Sequence, residues 1–342
     1  MRIAIVGGGI AGALLAWRLG RASPDLVEIF AGAAPAGADA TGASGGLVRG
    51  FEPDPALCRP AAESLAEIRA SATLSEWAGY REIGSVYLLP AGSDPQASVA
   101  TVDELLPGSA SVAVRARLSA YPFRGLPAGV LGVVERHAGF ISPARLRLAA
   151  LAQAGSAGAS MRSAPAVAVT PDPAVRLADG STVHYDAVVV AAGAWSPALL
   201  ARSGIPAAGM RSKQIQYTVC TARLPGLGAF VDGTTGLYGR PLGGDSVLLG
   251  LPSDRWDVNP AAVVPDPDLA EEVVACAGRR LGPRVAPGRT VASFDCYHDR
   301  PGLALRRTVP GSALFTFTGG SGGAAKTALA ASRTAADALL AC

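Results

Sequence analysis

Three glycines near the start of the chain constrain its fold more than any other feature. Gly7, Gly9 and Gly12 follow the short run Arg2-Ile3-Ala4-Ile5-Val6 and open the apolar stretch Ile10 to Arg21. Strand, glycine turn and helix in that order form the dinucleotide fingerprint G-x-G-x-x-G. The first glycine permits the tight turn, the second lets the backbone approach a pyrophosphate, and the third lets helix and strand pack closely. The helix start, with free amides and a positive dipole end around Ile10 and Ala11, then holds the anion. Leu26 to Phe30 supplies the second strand of a βαβ unit. The acid that normally ends this strand and accepts hydrogen bonds from an adenosine ribose falls at Ala31, and Glu28 lies inside the strand. Either Glu28 serves through an altered register, or backbone or water holds the ribose, or the affinity is carried elsewhere.

Composition narrows the class further. The chain has 342 residues, 49% of them hydrophobic and 17% charged, which excludes disorder and allows one large or two ordinary domains. No run reaches the roughly 18 apolar residues of a membrane helix, so no membrane association is expected. A net charge of +3, with no basic block to follow a phosphate backbone, points away from nucleic acid and towards small molecules. Cys58, Cys220, Cys276, Cys296 and Cys342 are odd in number and lack a CxxC pair, which fits neither a disulfide framework nor a zinc site, so the expected location is cytoplasmic. Ile3 to Trp17 is apolar but glycine-rich, with no clean processing site, and is read as folded structure rather than a signal peptide. Lysine occurs only at Lys213 and Lys326, which singles each out.

Along the chain, Ala31 to Gly46 reads as loop and Pro55 to Ala72 as a helix with a proline start. A strand is expected at Ser85 to Leu89, followed by a Pro/Gly-rich stretch. Ser142 caps a helix running to about Ala154. Val167 to Val169 and Val175 to Leu177 make a hairpin, and Asp186 to Ala192 is a strand buried on both faces. Gln214 to Cys220, Leu237 to Pro241 and Ser246 to Leu251 are strand-like, and Pro267 to Leu281 is helical. Ala313 to Thr318 is a last strand, followed by the glycine turn Gly319 to Gly323 and a helix from Ala324 to Ala341.

The N-terminal fingerprint, Ala40-Thr41-Gly42-Ala43-Ser44-Gly45-Gly46, Val188-Val189-Val190-Ala191-Ala192-Gly193-Ala194-Trp195-Ser196 and the turn from Gly319 to Lys326 match in order and spacing over nearly the whole chain. Together they resemble the FAD-dependent amine oxidases of the D-amino-acid oxidase superfamily, most of all the monomeric sarcosine oxidase and cyclic imino acid oxidase group. The resemblance implies an α/β fold in which a Rossmann-like FAD-binding domain (1–48, 136–205, 288–342) is interleaved with a substrate domain built on a mixed β-sheet (49–135, 206–287). It places FAD against Gly7, Gly9, Gly12, Ala31, Ser44, Gly45, the Val167 backbone, Ala192, Gly193 and Trp195. At the other end of the chain Gly320, Gly322, Gly323 and Ala324 complete the cofactor site.

The same resemblance implies roles for individual side chains. Lys326 stands beside the flavin, where a fixed cation stabilises the charge that forms as dioxygen is reduced; the alternative is a solvated helix lysine. Cys296 matches a cysteine that attaches flavin covalently, or else is a buried thiol acting as a small hydrophobe. Oxidising an amino acid requires a fixed carboxylate, a task suited to the arginine fork. Arg49 matches the sarcosine oxidase clamp and Arg300, before Pro301, the clamp of glycine and D-amino-acid oxidases; either could instead be a surface ion-pair residue. Tyr217, Tyr238 and Arg240 belong to the region roofing the flavin, with core packing as the plainer role. His298 is the histidine nearest the flavin segment and a candidate base. The implied reaction is hydride transfer from the C–N bond of an amino acid, preferably a secondary or cyclic amine, with dioxygen as final acceptor. A dehydrogenase using another acceptor and a non-catalytic FAD-fold binding protein are the rivals.

Overall fold

Ile3–Val6 is buried along its whole length, as the middle strand of a parallel sheet must be. It pairs in parallel with Val27–Phe30 on one side and Ala187–Val190 on the other. Leu314–Thr318 and Ser160–Arg162 extend the sheet in parallel, and antiparallel Ala304–Arg307 closes one edge to make six strands. The computed structural model describes residues 1–22, 27–32 and 39–341. Leu26 of the expected second strand, residues 33–38 of the expected loop, and Cys342 lie outside the described residues.

Successive side chains of a strand point to opposite faces, and both faces here are apolar. Ile3, Ile5, Ile29 and Val189 join the core beneath the helices Ile10–Ala22, Pro143–Ser156, Pro55–Ala70 and Ala324–Leu340. Ala4, Val6, Val188 and Val190 instead pack towards the small antiparallel sheet of Ala166–Thr170, Ala174–Leu177 and Thr182–His184. Glycine makes the first crossover possible. Gly7 has φ +123°, and a Cβ at Gly12 would collide with the Gly7 carbonyl oxygen.

The second layer is an eight-stranded mixed sheet in the order Ala286–His298, Met210–Thr221, Ser246–Gly250, Tyr238–Gly243, Ala229–Asp232, Ser85–Leu89, Leu131–Glu135, Ala110–Val114. Only Ala229–Asp232 and Ser85–Leu89 pair in parallel. Helix Pro267–Leu281 covers part of it and buries Val273, Cys276, Ala277 and Leu281. Among the described residues no helix is long and apolar enough to cross a membrane. The four described cysteines are free thiols.

Two differences from the sequence reading bear on the site. The Pro/Gly-rich stretch after Leu89 contains the helix Gln96–Leu105 and two strands of the large sheet. Ala286–His298, not foreseen as a strand and cut by the expected boundary at 288, is hydrogen-bonded along Met210–Thr221 and so belongs to that sheet.

Candidate active site

The fingerprint and the C-terminal glycine turn are brought to the same place by parallel pairing. Ile3–Val6 and Leu314–Thr318 flank Ala187–Val190 in parallel, so their glycine-rich ends emerge at one edge of the sheet. Between them lies a cavity of about 780 Å³, within the range of small-molecule sites. Its wall includes Gly7, Gly9, Ile10 and Ala11 from the first turn, Ala192, Gly193 and Trp195 from the inner strand end, and Gly320, Gly322 and Ala324 from the last turn. Ala31 and Ser44 also face it. The large sheet supplies Ile215, Phe294 and Asp295, with Trp195 edge-on to Phe294 at 4.7 Å between ring centroids.

Gly7, Gly8, Gly9, Gly193, Gly320 and Gly322 leave backbone rather than side chains on the wall, as close approach of a dinucleotide requires. At Gly320 a Cβ would stand 2.6 Å from that of Ala324, so the backbone there is held where a side chain cannot go. Thr41 Oγ1 accepts from the Ile10 amide at 3.1 Å, capping the helix start that the fingerprint assigns to a phosphate. Gly12, Gly45, Gly323 and Val167, expected against the cofactor, are not on the wall; Ala166, next to Val167, is.

Glu28 does not replace the missing ribose acid. It is in regular register opposite Ala4 and Ser160, and its carboxylate accepts from Tyr185, Arg162 and Ser160, away from the cavity. Burial works to raise its pKa, but the hydrogen bonds from Tyr185 and Arg162 prevail and hold it below the ordinary value. The wall does carry Asp39, ion-paired with Arg147.

Arg49 and Lys326, chosen from opposite ends of the chain, meet at one carboxylate. Glu52 Oε1 lies 2.8 Å from Arg49 Nη2 and 2.6 Å from Lys326 Nζ. Burial works to raise the Glu52 pKa, but the two cations outweigh it and hold the group below its ordinary value, hence ionised. Lys326 is depressed by burial and by Arg49, with Glu52 opposing. The segment is anchored from below: buried Glu135 accepts from the amides of Gly50 at 2.9 Å and Phe51 at 3.0 Å. Tyr87 stands beside it, its ring centroid 5.2 Å from the Arg49 guanidinium carbon. Lys326 lies in the first turn of Ala324–Leu340, directly after the wall residues Ala324 and Ala325.

The remaining expected residues are placed differently. Arg300 is on an exposed turn, its amide donating to His298 Nδ1 at 3.0 Å. His298 Nδ1 is also 2.6 Å from Asp299 Oδ1, while burial and then Arg306 lower the His298 pKa. Cys296 is fully buried and off the cavity wall, and burial raises its thiol pKa. Its neighbour Asp295 faces the cavity instead. Tyr238 commits its hydroxyl to the Gln216 carbonyl at 3.1 Å, and Tyr217 is half-buried on Met210–Thr221. Arg240 donates to the Gly45 carbonyl at 2.7 Å and faces an adjoining cavity of about 310 Å³ with Arg81 and Arg145. Sequence reasoning missed Glu52, Glu135, Asp39 and Asp295. The available signal for Glu52 was its place three residues after Arg49.

Residues 2–338 match the family described as "FAD dependent oxidoreductase". The chain belongs to that family. Among curated proteins, sequence comparison gives no match. Among solved structures the chain is similar to iminodiacetate oxidase from Chelativorans sp., with TM-score 0.75 and 20% identity over 99% of this chain and 95% of that one. It is also similar to L-proline dehydrogenase from P. horikoshii, with TM-score 0.80 and 17% identity over 98% and 92% of the two chains. Glycine oxidase from Geobacillus kaustophilus gives TM-score 0.75 and 20% identity over 99% and 94%. These likenesses show the fold. Family membership makes the chain an FAD-dependent oxidoreductase.

Proposed function

We propose that this family member oxidises the C–N bond of an amino acid, preferably a secondary or cyclic amine, to an imine, with dioxygen accepting the electron pair and two protons as hydrogen peroxide. The cofactor supplies hydride acceptance when bound. The observation carrying the reading is the meeting of Arg49 and Lys326 at Glu52, with Lys326 directly following the wall residues Ala324 and Ala325. Arg49 holds the substrate carboxylate so that the C–H bond is oriented, the positional requirement of hydride transfer. Lys326 supplies fixed positive charge in a site from which water is largely excluded, where such charge acts strongly. Phe294, Ile215 and Trp195 form an apolar wall suited to a small aliphatic amine. Asp39 and Arg147 are the polar groups on the wall able to serve the adenosine ribose in place of the missing acid. The amino carboxylates in the names of the similar structures (iminodiacetate, glycine and proline) support the choice of substrate class.

A second reading, delivery of electrons to an acceptor other than dioxygen, is favoured by one observation. Glu52 neutralises much of the Lys326 charge that would assist oxygen reduction. Mixing the FAD-loaded protein anaerobically with sarcosine, proline, pipecolate, glycine and D-amino acids tests the substrate class: one or more should bleach the flavin absorbance. Readmitting air should restore it with stoichiometric peroxide. No bleaching by any amino acid overturns the proposed activity, and bleaching without recovery in air selects the second reading. With Cys296 buried off the wall, acid precipitation should release the flavin into solution.

A further inference from the structure

The fork of an arginine grips a carboxylate through two parallel N–H bonds, and one such edge of Arg49 is already closed by its own chain. Arg49 Nε donates to the Phe51 carbonyl at 3.1 Å, and Nη2 lies 2.8 Å from Glu52 Oε1. That oxygen is simultaneously 2.6 Å from Lys326 Nζ. A single carboxylate oxygen thus sits between two largely covered cations, the position that an external carboxylate would be drawn to. We propose that Glu52 is an internal competitor for the substrate carboxylate, occupying the Arg49–Lys326 cation pair and setting the affinity with which an external carboxylate enters. The inference rests on the reading of Arg49 as the clamp.

The charge arithmetic sets the direction of the effect. Arg49 and Lys326 carry two positive charges and Glu52 one negative, so the trio is left with a single positive charge for an incoming anion. Removing the Glu52 charge strengthens that attraction. Because the group is buried, solvent screens little of the change. Glu135 holds the backbone of residues 50 and 51 independently, so the segment keeps its anchor when Glu52 is altered.

The test is calorimetric titration of propionate, a carboxylate without an amine to oxidise, into the FAD-loaded protein and its Glu52→Gln and Arg49→Met variants. Glu52→Gln should bind propionate at least tenfold more tightly than the unaltered chain, and propionate should raise its unfolding midpoint more. Arg49→Met should abolish binding. If Arg49→Met abolishes binding while Glu52→Gln binds no more tightly than the unaltered chain, the competitor role is overturned and the clamp stands. If Arg49→Met leaves propionate binding unchanged, the clamp reading fails, and the competitor role with it. Should Glu52→Gln not fold, Glu52→Asp replaces it. Its shorter side chain draws the carboxylate back from the cations, so tighter binding is again expected, and unchanged or weaker binding overturns the inference.

Discussion

Asp295 pays for its place on the cavity wall with a displaced pKa. It accepts hydrogen bonds from Cys296 N at 2.8 Å and Gly322 N at 2.9 Å, yet burial pushes its pKa up from 3.8 to about 6. Between those values the native chain binds more protons than the unfolded one, so this group's contribution to stability falls as pH rises through the window. Urea unfolding at about pH 4.5, inside that window, and at about pH 7, above it, should show Asp295→Asn losing less stability than the unaltered chain on going to the higher pH. An identical pH response in both would remove Asp295 as its source. For Lys326→Met, FAD should still bind while oxygen-dependent turnover falls by about 10²-fold, the usual scale for losing one fixed charge at a reacting centre. A Clark electrode with a saturating bleaching substrate measures it. Lys326 and Arg49 were singled out in the sequence because their surrounding motifs resemble a known group. Glu52 was not, because an acid three residues from an arginine normally marks a solvated pair, and burial is a tertiary property that spacing does not encode.

Elements formed by local rules were the most legible. Strand, glycine turn and helix appear at Ile3–Val6, Gly7–Gly9 and Ile10–Ala22 because periodicity, β-branching and glycine agree there. Helix Pro267–Leu281 was read to the residue, since Asp266 and Pro267 are cap and first-turn signals. The Asp266 side chain accepts from the amides of Asp268 at 3.1 Å and Leu269 at 3.4 Å. Asp266→Ala should therefore cost about 1 kcal/mol in thermal or urea unfolding, the typical price of a lost N-cap. The long strand Ala286–His298 was illegible for the opposite reason. Its first four residues are exposed, it contains Pro287 and Gly288, and only pairing with Met210–Thr221 makes it a strand. Tertiary context overrides weak local preference in such segments.

At the scale of the whole molecule, helix Pro267–Leu281 is fixed to the large sheet by a buried ion pair. Arg280 Nε lies 2.6 Å from Asp232 Oδ2, and Arg280 also donates to the carbonyls of Arg124 and Gly125 at 2.8 Å. Asp232→Ala leaves that guanidinium buried without its partner and should destabilise the protein by about 3–5 kcal/mol, read from the urea midpoint at constant slope. The strand Ala286–His298 runs across the expected boundary at 288, and its pairing with Met210–Thr221 was not visible in the motif order. The proposed oxidation depends on both glycine turns gripping one FAD. Calorimetric titration of FAD into the flavin-free chain tests it most directly. One FAD should bind per chain, and binding should be lost in both Gly12→Val and Gly320→Val. Absence of FAD uptake by the unaltered chain, or uptake undiminished in both variants, would contradict it.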